Sequence, residues 1–357
     1  MSQPGHAGSG RAGSGRAGSG RGGSGRGAKR TSGGRGEHKQ VPEAEFRSYY
    51  GRQIIKSPVW KSPDVPLYLF LGGLAGTSSG LAALGGVTGR PTLRRAGRIA
   101  AATGAAGGTI ALIHDLHRPS RFHHMLRVFK PTSPLSVGTW ILSPFAVLAT
   151  AAAASEVTGL LRRTGDAAGI GAAVVGPALG TYTAVLLSNT AVPTWHEAHR
   201  HLPVLFAGSA AAAGGGLGLV AASVADNAPA ARLAVAGAAL ELATVEKMQH
   251  DLGLLADVYD KGTSKRWMQA SKVLTSAGAV GALLGRRRRW SAALSGLALM
   301  TGSMATRFGV FDAGIASSKD PAHIVIPQRE RIRAREQTTA AANTPPDRTF
   351  TPTTTGG

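Results

Sequence analysis

The apolar run 230–249 carries a glutamate, Glu241, near its midpoint, with Glu246 and His250 following toward its end. A charged, unpaired carboxylate at that depth of a bilayer costs about 2.5–3.5 kcal/mol even on the lenient insertion scale, so it must be protonated, paired or facing a wet cavity. Glu246 and His250 are four apart and share a helix face. With Glu241 they read as a row able to pass protons from mid-membrane to one surface. A second group, His114-Asp115-Leu116-His117-Arg118-Pro119, closes another run. Pro119 stops the helix and leaves an acid, a guanidinium and two imidazoles at the interface. An aspartate beside a histidine holds and orients the imidazole for proton exchange, while arginine offers a fork of donors to a carbonyl or carboxylate. A third group, Trp195-His196-Glu197-Ala198-His199-Arg200-His201, puts three histidines in one short loop. A polar loop beside an interfacial tryptophan reads as a solvated turn more readily than as a metal site. Bis-histidine haem ligation would need imidazoles facing each other inside the bilayer. No metal or haem is expected in this chain.

The elements that position these groups follow from where charge is missing. Lys and Arg number 40 against 19 Asp and Glu, a net charge of +21, yet the runs 66–88, 131–155, 167–195 and 202–225 contain none of the four. Uncharged, mainly apolar runs of about 18 residues or more are what a bilayer crossing requires, which excludes an ordinary soluble domain. Reading the runs in order predicts an all-α, multi-pass membrane protein. Its eight helices fall at about 66–88, 96–113, 135–156, 167–190, 202–225, 230–249, 271–285 and 290–307. The chain has 50 glycines and few aromatics, so these helices are expected to pack through small residues, with Gly72/Gly76, Gly104/Gly108 and Gly214/Gly218 as close-approach pairs. There is no cysteine, which excludes disulfides, thiolate zinc and Cys-ligated iron–sulfur clusters within this chain.

Helix parity assigns each loop to one of two sides. Side A holds both termini, all eleven histidines and Trp60, Trp140, Trp195 and Trp267. Side B holds Trp290 and eleven arginines, including Arg90, Arg94, Arg95, Arg98 and the run 286–289. Histidine titrates near neutral pH, so proton chemistry and partner docking are expected on side A. The positive-inside rule puts the arginine-only side B in the cytoplasm and the termini on the outer face of the cell membrane. Residues 1–45 repeat Gly-Ser-Gly-Arg units, with Arg11, Arg16, Arg21 and Arg26 five apart. They are expected to form a disordered, solvated tail. Without interleaved aromatics the tail cannot stack on bases, so lipid and not nucleic acid is its expected contact.

Several stretches together resemble the NrfD/PsrC family, the polysulfide-reductase-type integral membrane subunits. They are 48–61, 69–76, His114 to Phe122, 130–142 with its Ser-Pro-x-Ser-x-Gly-x-Trp element ending at Trp140, 182–195 from Tyr182, and 320–331. They span about residues 46–335. The resemblance implies two four-helix bundles over 46–318, followed by an extramembrane, disordered tail over 319–357. It also implies a subunit that anchors a 4Fe-4S ferredoxin-like subunit and a molybdopterin oxidoreductase, exchanging electrons between the partner's clusters and a quinone, menaquinone, with an added proton-transfer role. His114 and Asp115 are then assigned to proton exchange at the quinone head group. Tyr182 and Trp140 line it, Arg118 holds the loop or the partner, and Glu241 and Glu246 extend the proton route. The family pattern does not include the Gly/Ser/Arg tail, and His117 stands where a small residue is commoner, so it receives no role. The same residues also fit a proton- or ion-coupled secondary transporter with Glu241 as coupling site, or a structural membrane anchor.

Overall fold

The computed structural model describes residues 54–342; residues 1–53, with the 1–45 tail and the start of the 48–61 stretch, and residues 343–357 lie outside the described part. The described residues form helices and turns, with no strand among them. In chain order these are α1 (Asp64–Val87), α2 (Pro91–Asp115), α3 (Pro134–Thr158), α4 (Arg162–Ser188), the short α5 (Pro193–Glu197), α6 (Leu202–Ala221), α7 (Ala228–Leu252), α8 (Gly262–Gly285), α9 (Arg289–Lys319) and α10 (Ala322–Ala342). Tight 3-10 turns fill Pro119–Leu126, Ala198–Arg200 and Gly253–Asp260. Proline stands in the first two positions of α2, α3, α5, α6 and α7, where its fixed φ suits a helix and its missing N–H is not needed.

Each of the eight expected segments overlaps a helix, α1 to α4 and α6 to α9. Among the described residues six helices, α1 to α4, α6 and α7 with its following turn, are long and apolar enough to cross a membrane. α8 and α9 fall short of that standard because Lys265, Arg266, Gln269 and Lys272, and then Arg307 and Asp312, interrupt their apolar sequence. α2 and α4 each pack on both α1 and α3, and α7 and α9 each pack on both α6 and α8. α6 also lies against α1 and α4. α1 and α6 are therefore central, with 67% of their apolar windows buried, against 33% for α3. The peripheral helices turn Ile110, Val147, Val174, Val273 and Leu294 outward. So extensive an apolar exterior matches lipid as solvent.

Glycine sets how closely the central helices approach. Gly76 of α1 and Gly176 of α4 face each other so tightly that a Cβ on either would run into the other's carbonyl, and Gly216 of α6 meets Gly296 of α9 in the same way. Of the predicted small-residue pairs, Gly104 lies against Ala75 and Gly214 against Thr77, so both are at helix contacts.

Two expectations need correction. α8 begins at Gly262 and α9 continues to Lys319, because the charges read as helix ends are carried inside the helices. The segment after 319 is not uniformly disordered, since α10 occupies Ala322–Ala342. Asp320 accepts the Ala322 N–H at 2.9 Å, and Arg331 pairs with Glu197 at 3.2 Å. This start and this anchor hold a helix whose sequence has no apolar run to announce it.

Candidate functional site

Contacts between loops draw the side A ends together. The Lys61 N–H donates to Asp115 Oδ1 at 2.8 Å, joining the start of α1 to the end of α2. Trp60 stacks on Trp195 with centroids 5.6 Å apart. Trp195, fully buried, donates its indole N–H to the Val310 carbonyl at 2.8 Å and lies where Gly314 has no side chain. His201 meets Asp251 at 3.1 Å, tying the start of α6 to the end of α7. Aromatic packing and short polar links thus fix one end of the molecule.

On that end, His114 Nδ1 lies 2.7 Å from Asp64 Oδ2, while 73% of the His114 side chain stays open. The Lys61 ammonium donates to the His114 carbonyl at 3.3 Å. Lys61, Asp64, His114 and Asp115 therefore form one polar group in which Lys61 and His114 are exposed and the two aspartates partly covered; parity placed all four on side A, but the residue pattern assigns Lys61 and Asp64 no site role. Arg118 is exposed beside it. Tyr182, near the end of α4, lays its ring against Gly138 of α3, and any Cβ at 138 would run into it. Trp140 is half exposed; its N–H is taken by the Val128 carbonyl at 3.3 Å and its ring meets Phe129 edge-on. It can offer a ring face, but its donor is already used.

Glu241 is wholly buried, and the row it was expected to share with Glu246 and His250 is not assembled. Glu246 is 68% exposed and takes the Lys272 ammonium at 2.6 Å, while His250 faces outward beside Asp251 at 3.3 Å. Residues five apart on a helix are separated by about 140° around its axis, so Glu246 points away from the buried face. Glu241 instead accepts a hydrogen bond from the Thr306 hydroxyl of α9. Thr306 is 2.6 Å from the Ser271 hydroxyl of α8. Next to Thr306, Arg307 is also wholly buried. It donates to the Phe206 carbonyl at 2.9 Å and holds its guanidinium 3.6 Å over the Phe206 ring. Thr306, Ser271 and Arg307 were missed because Arg307 read as the end of a span. The buried series Leu299, Gly302, Thr306 and Val310 was the available signal for a longer helix.

Side B is built differently. Arg98, nearly buried, reaches Glu156 at 3.0 Å and Asp166 at 2.6 Å, and Arg94 adds a second bond to Glu156 at 3.1 Å. Arg289 donates to the Leu219, Val220 and Ala222 carbonyls at the end of α6. Part of the arginine row thus ties helix ends together.

Clefts open on side A around the histidine loop. One of about 570 Å³ is lined by His196, Glu197, His323 and Arg331, and another of about 810 Å³ by His199, His201, Lys247 and Asp251. An apolar slot of about 320 Å³ lies among α1, α4 and α6, lined by Gly76, Gly80, Gly176 and Ala210.

Comparison with curated proteins finds no match. A family model described as "Polysulphide reductase, NrfD" matches residues 53–245, covering α1 to most of α7 and including every predicted site residue except Glu246. That match takes in more than half of the chain. With its apolar helices and its side A polar group, the chain belongs to the NrfD polysulphide reductase family of membrane subunits of quinone-linked oxidoreductases.

Proposed function

We propose that this chain is the quinone-facing membrane subunit of an oxidoreductase complex, crossing the bilayer eight times as two four-helix bundles, α1–α4 and α6–α9. Side A faces outward and receives a 4Fe-4S ferredoxin-like subunit, which exchanges electrons with a molybdopterin oxidoreductase. The observation that carries this reading is the water-open His114 held by the largely covered Asp64, 2.7 Å away, at the end of an apolar helical body. Quinone chemistry moves protons together with electrons, so it needs a titratable pair where lipid meets water. His114 and Asp115 exchange those protons with solvent. The Tyr182 hydroxyl has no protein partner among the described residues and is free to donate to a quinone carbonyl. Trp140 supplies a flat apolar wall, and Arg118 an exposed cation for the loop or the docked partner. Because the chain has no cysteine, thiolate-held clusters come with the partner. Menaquinone is the substrate proposed. Glu241 gives the proton route a station inside the membrane, and the side B arginines favour the cytoplasm.

Purification from native membranes is expected to yield a complex containing iron and molybdenum, and Asp64→Asn should slow its turnover of a menaquinone analogue without lowering its yield. A chain that purifies without either metal, or an Asp64→Asn complex with unchanged kinetics, contradicts the reading.

A further inference from the structure

Glu241 and Arg307 are the two wholly buried ionisable chains of acid or base type among the described residues, and hydroxyls surround them. Thr306 Oγ1 touches Glu241 Oε1, stands 2.6 Å from Ser271 Oγ and 3.2 Å from its own Gly302 carbonyl. A hydroxyl has one proton to donate. When Thr306 gives it to an ionised Glu241, Ser271 donates to Thr306. When Glu241 is protonated it donates to Thr306, which turns to the Gly302 carbonyl. The same oxygens thus serve both protonation states, differing only in where the protons sit.

The charges facing Glu241 are few. α6 contains no charged residue. The buried face of α8 is Ser264, Met268, Ser271, Thr275, Gly278 and Ala282. α1, packed on α6 and α9, carries Asp64 only, at its side A end. On α7 itself Arg232, Glu246, Lys247, His250 and Asp251 are exposed. This leaves Arg307, whose charge acts on Glu241 with no carboxylate within 4.0 Å of it among the described residues. Phe206 holds the guanidinium through its carbonyl and its ring, so the charge stays in place while Glu241 changes state. Toward side A the α8–α9 seam continues to Ser264, which donates to the Gly309 carbonyl at 2.8 Å, and to the half-buried Asp312 beside Thr263 and Trp267. Met268 fills the intervening turn against Gly309; its unbranched chain can swing aside.

We infer that Glu241 exchanges protons with side A across the α8–α9 seam, through Thr306 and Ser271 toward Ser264 and Asp312, with Arg307 as a fixed counter-charge. A solvent proton arriving at Ser271 Oγ displaces the proton that Ser271 carried onto Thr306 Oγ1, and Thr306 passes its own to Glu241 Oε1. Each hydroxyl gains one O–H bond and loses one, the carboxylate gains one, and the reverse sequence empties it. This deepens the proton-coupled reading above, but the exchange can be measured without quinone or partner.

The test is infrared spectroscopy of the full-length protein in phospholipid nanodiscs, titrated from about pH 4 to about pH 10 and then moved from H2O to D2O. A protonated-carboxyl C=O band should titrate and vanish in Glu241→Gln. Its deuterium exchange should slow about a hundredfold in Ser271→Ala and Thr306→Val, slow also in Asp312→Asn, recover in Thr306→Ser, and keep its rate in Glu246→Gln. If Thr306→Val loses helicity, Ser271→Ala and Thr306→Ser decide. No titrating band, unchanged exchange in folded Ser271→Ala, or slowing by Glu246→Gln overturns the inference. Loss of quinone turnover with normal Glu241 exchange leaves it standing, and failure of exchange with normal turnover counts against the inference alone.

Discussion

At side B, Arg94 and Arg98 close on Glu156, Arg98 also holds Asp166, and Arg289 is spread over three carbonyls of α6. At side A, His114 pairs with Asp64 yet stays largely in water, Arg118 stands exposed, and histidines line open clefts. Both ends are rich in charge, but one spends it on joining helices and the other leaves it accessible. Net charge alone would not separate the two. What separates the named groups is burial: Arg98 and Glu156 pair almost out of water, whereas His114 stays open beside its aspartate, and that assigns stability to side B and exchange with solvent or a partner to side A.

Substitutions should divide along the same line, and the largest effect is expected from Arg98→Leu. It leaves Glu156 and Asp166 without their shared cation, and breaking such a nearly buried pair costs about 3 kcal/mol. Thermal unfolding of the solubilised protein should show it, with turnover per folded complex unchanged. Gly314→Ala comes next: the added methyl collides with the Trp195 indole, and overpacking of this kind costs about 2 kcal/mol. A smaller loss of melting temperature and weaker retention of the partner on side A should follow. Tyr182→Phe removes one donor while keeping the ring on Gly138, and should slow quinone turnover about fivefold, the equivalent of about 1 kcal/mol. The smallest effect belongs to Glu246→Gln. It breaks only the exposed Lys272 pair, so stability should change by less than about 0.5 kcal/mol.

Most of the helical plan was legible because charge-free runs are a physical requirement of the bilayer, and α1, α3, α4 and α6 fall where those runs lie. The plan blurred at α8 and α9, where Lys272 pairs with Glu246 and Arg307 is buried, so these charges sit within helices and do not end them. α10 gave no signal, being rich in arginine and interrupted by Pro327; its anchors, Asp320 and Glu197, are visible only in three dimensions. Parity placed Lys61, Asp64, His114 and Asp115 on one side, but their pairing depends on how α1 meets α2. For Glu241 the depth was readable and the company was not. Glu246, five residues on, aligns with it only partly, and the hydroxyls that receive Glu241 belong to α8 and α9.

The most direct test of the division between the two ends is menaquinone-analogue turnover in membranes carrying the assembled complex, normalised to complex content, for Asp115→Asn on side A and Asp166→Asn on side B. Asp115→Asn is expected to lower turnover about tenfold or more while Asp166→Asn lowers only stability. Equal turnover in the two variants, or a loss confined to Asp166→Asn, would contradict it.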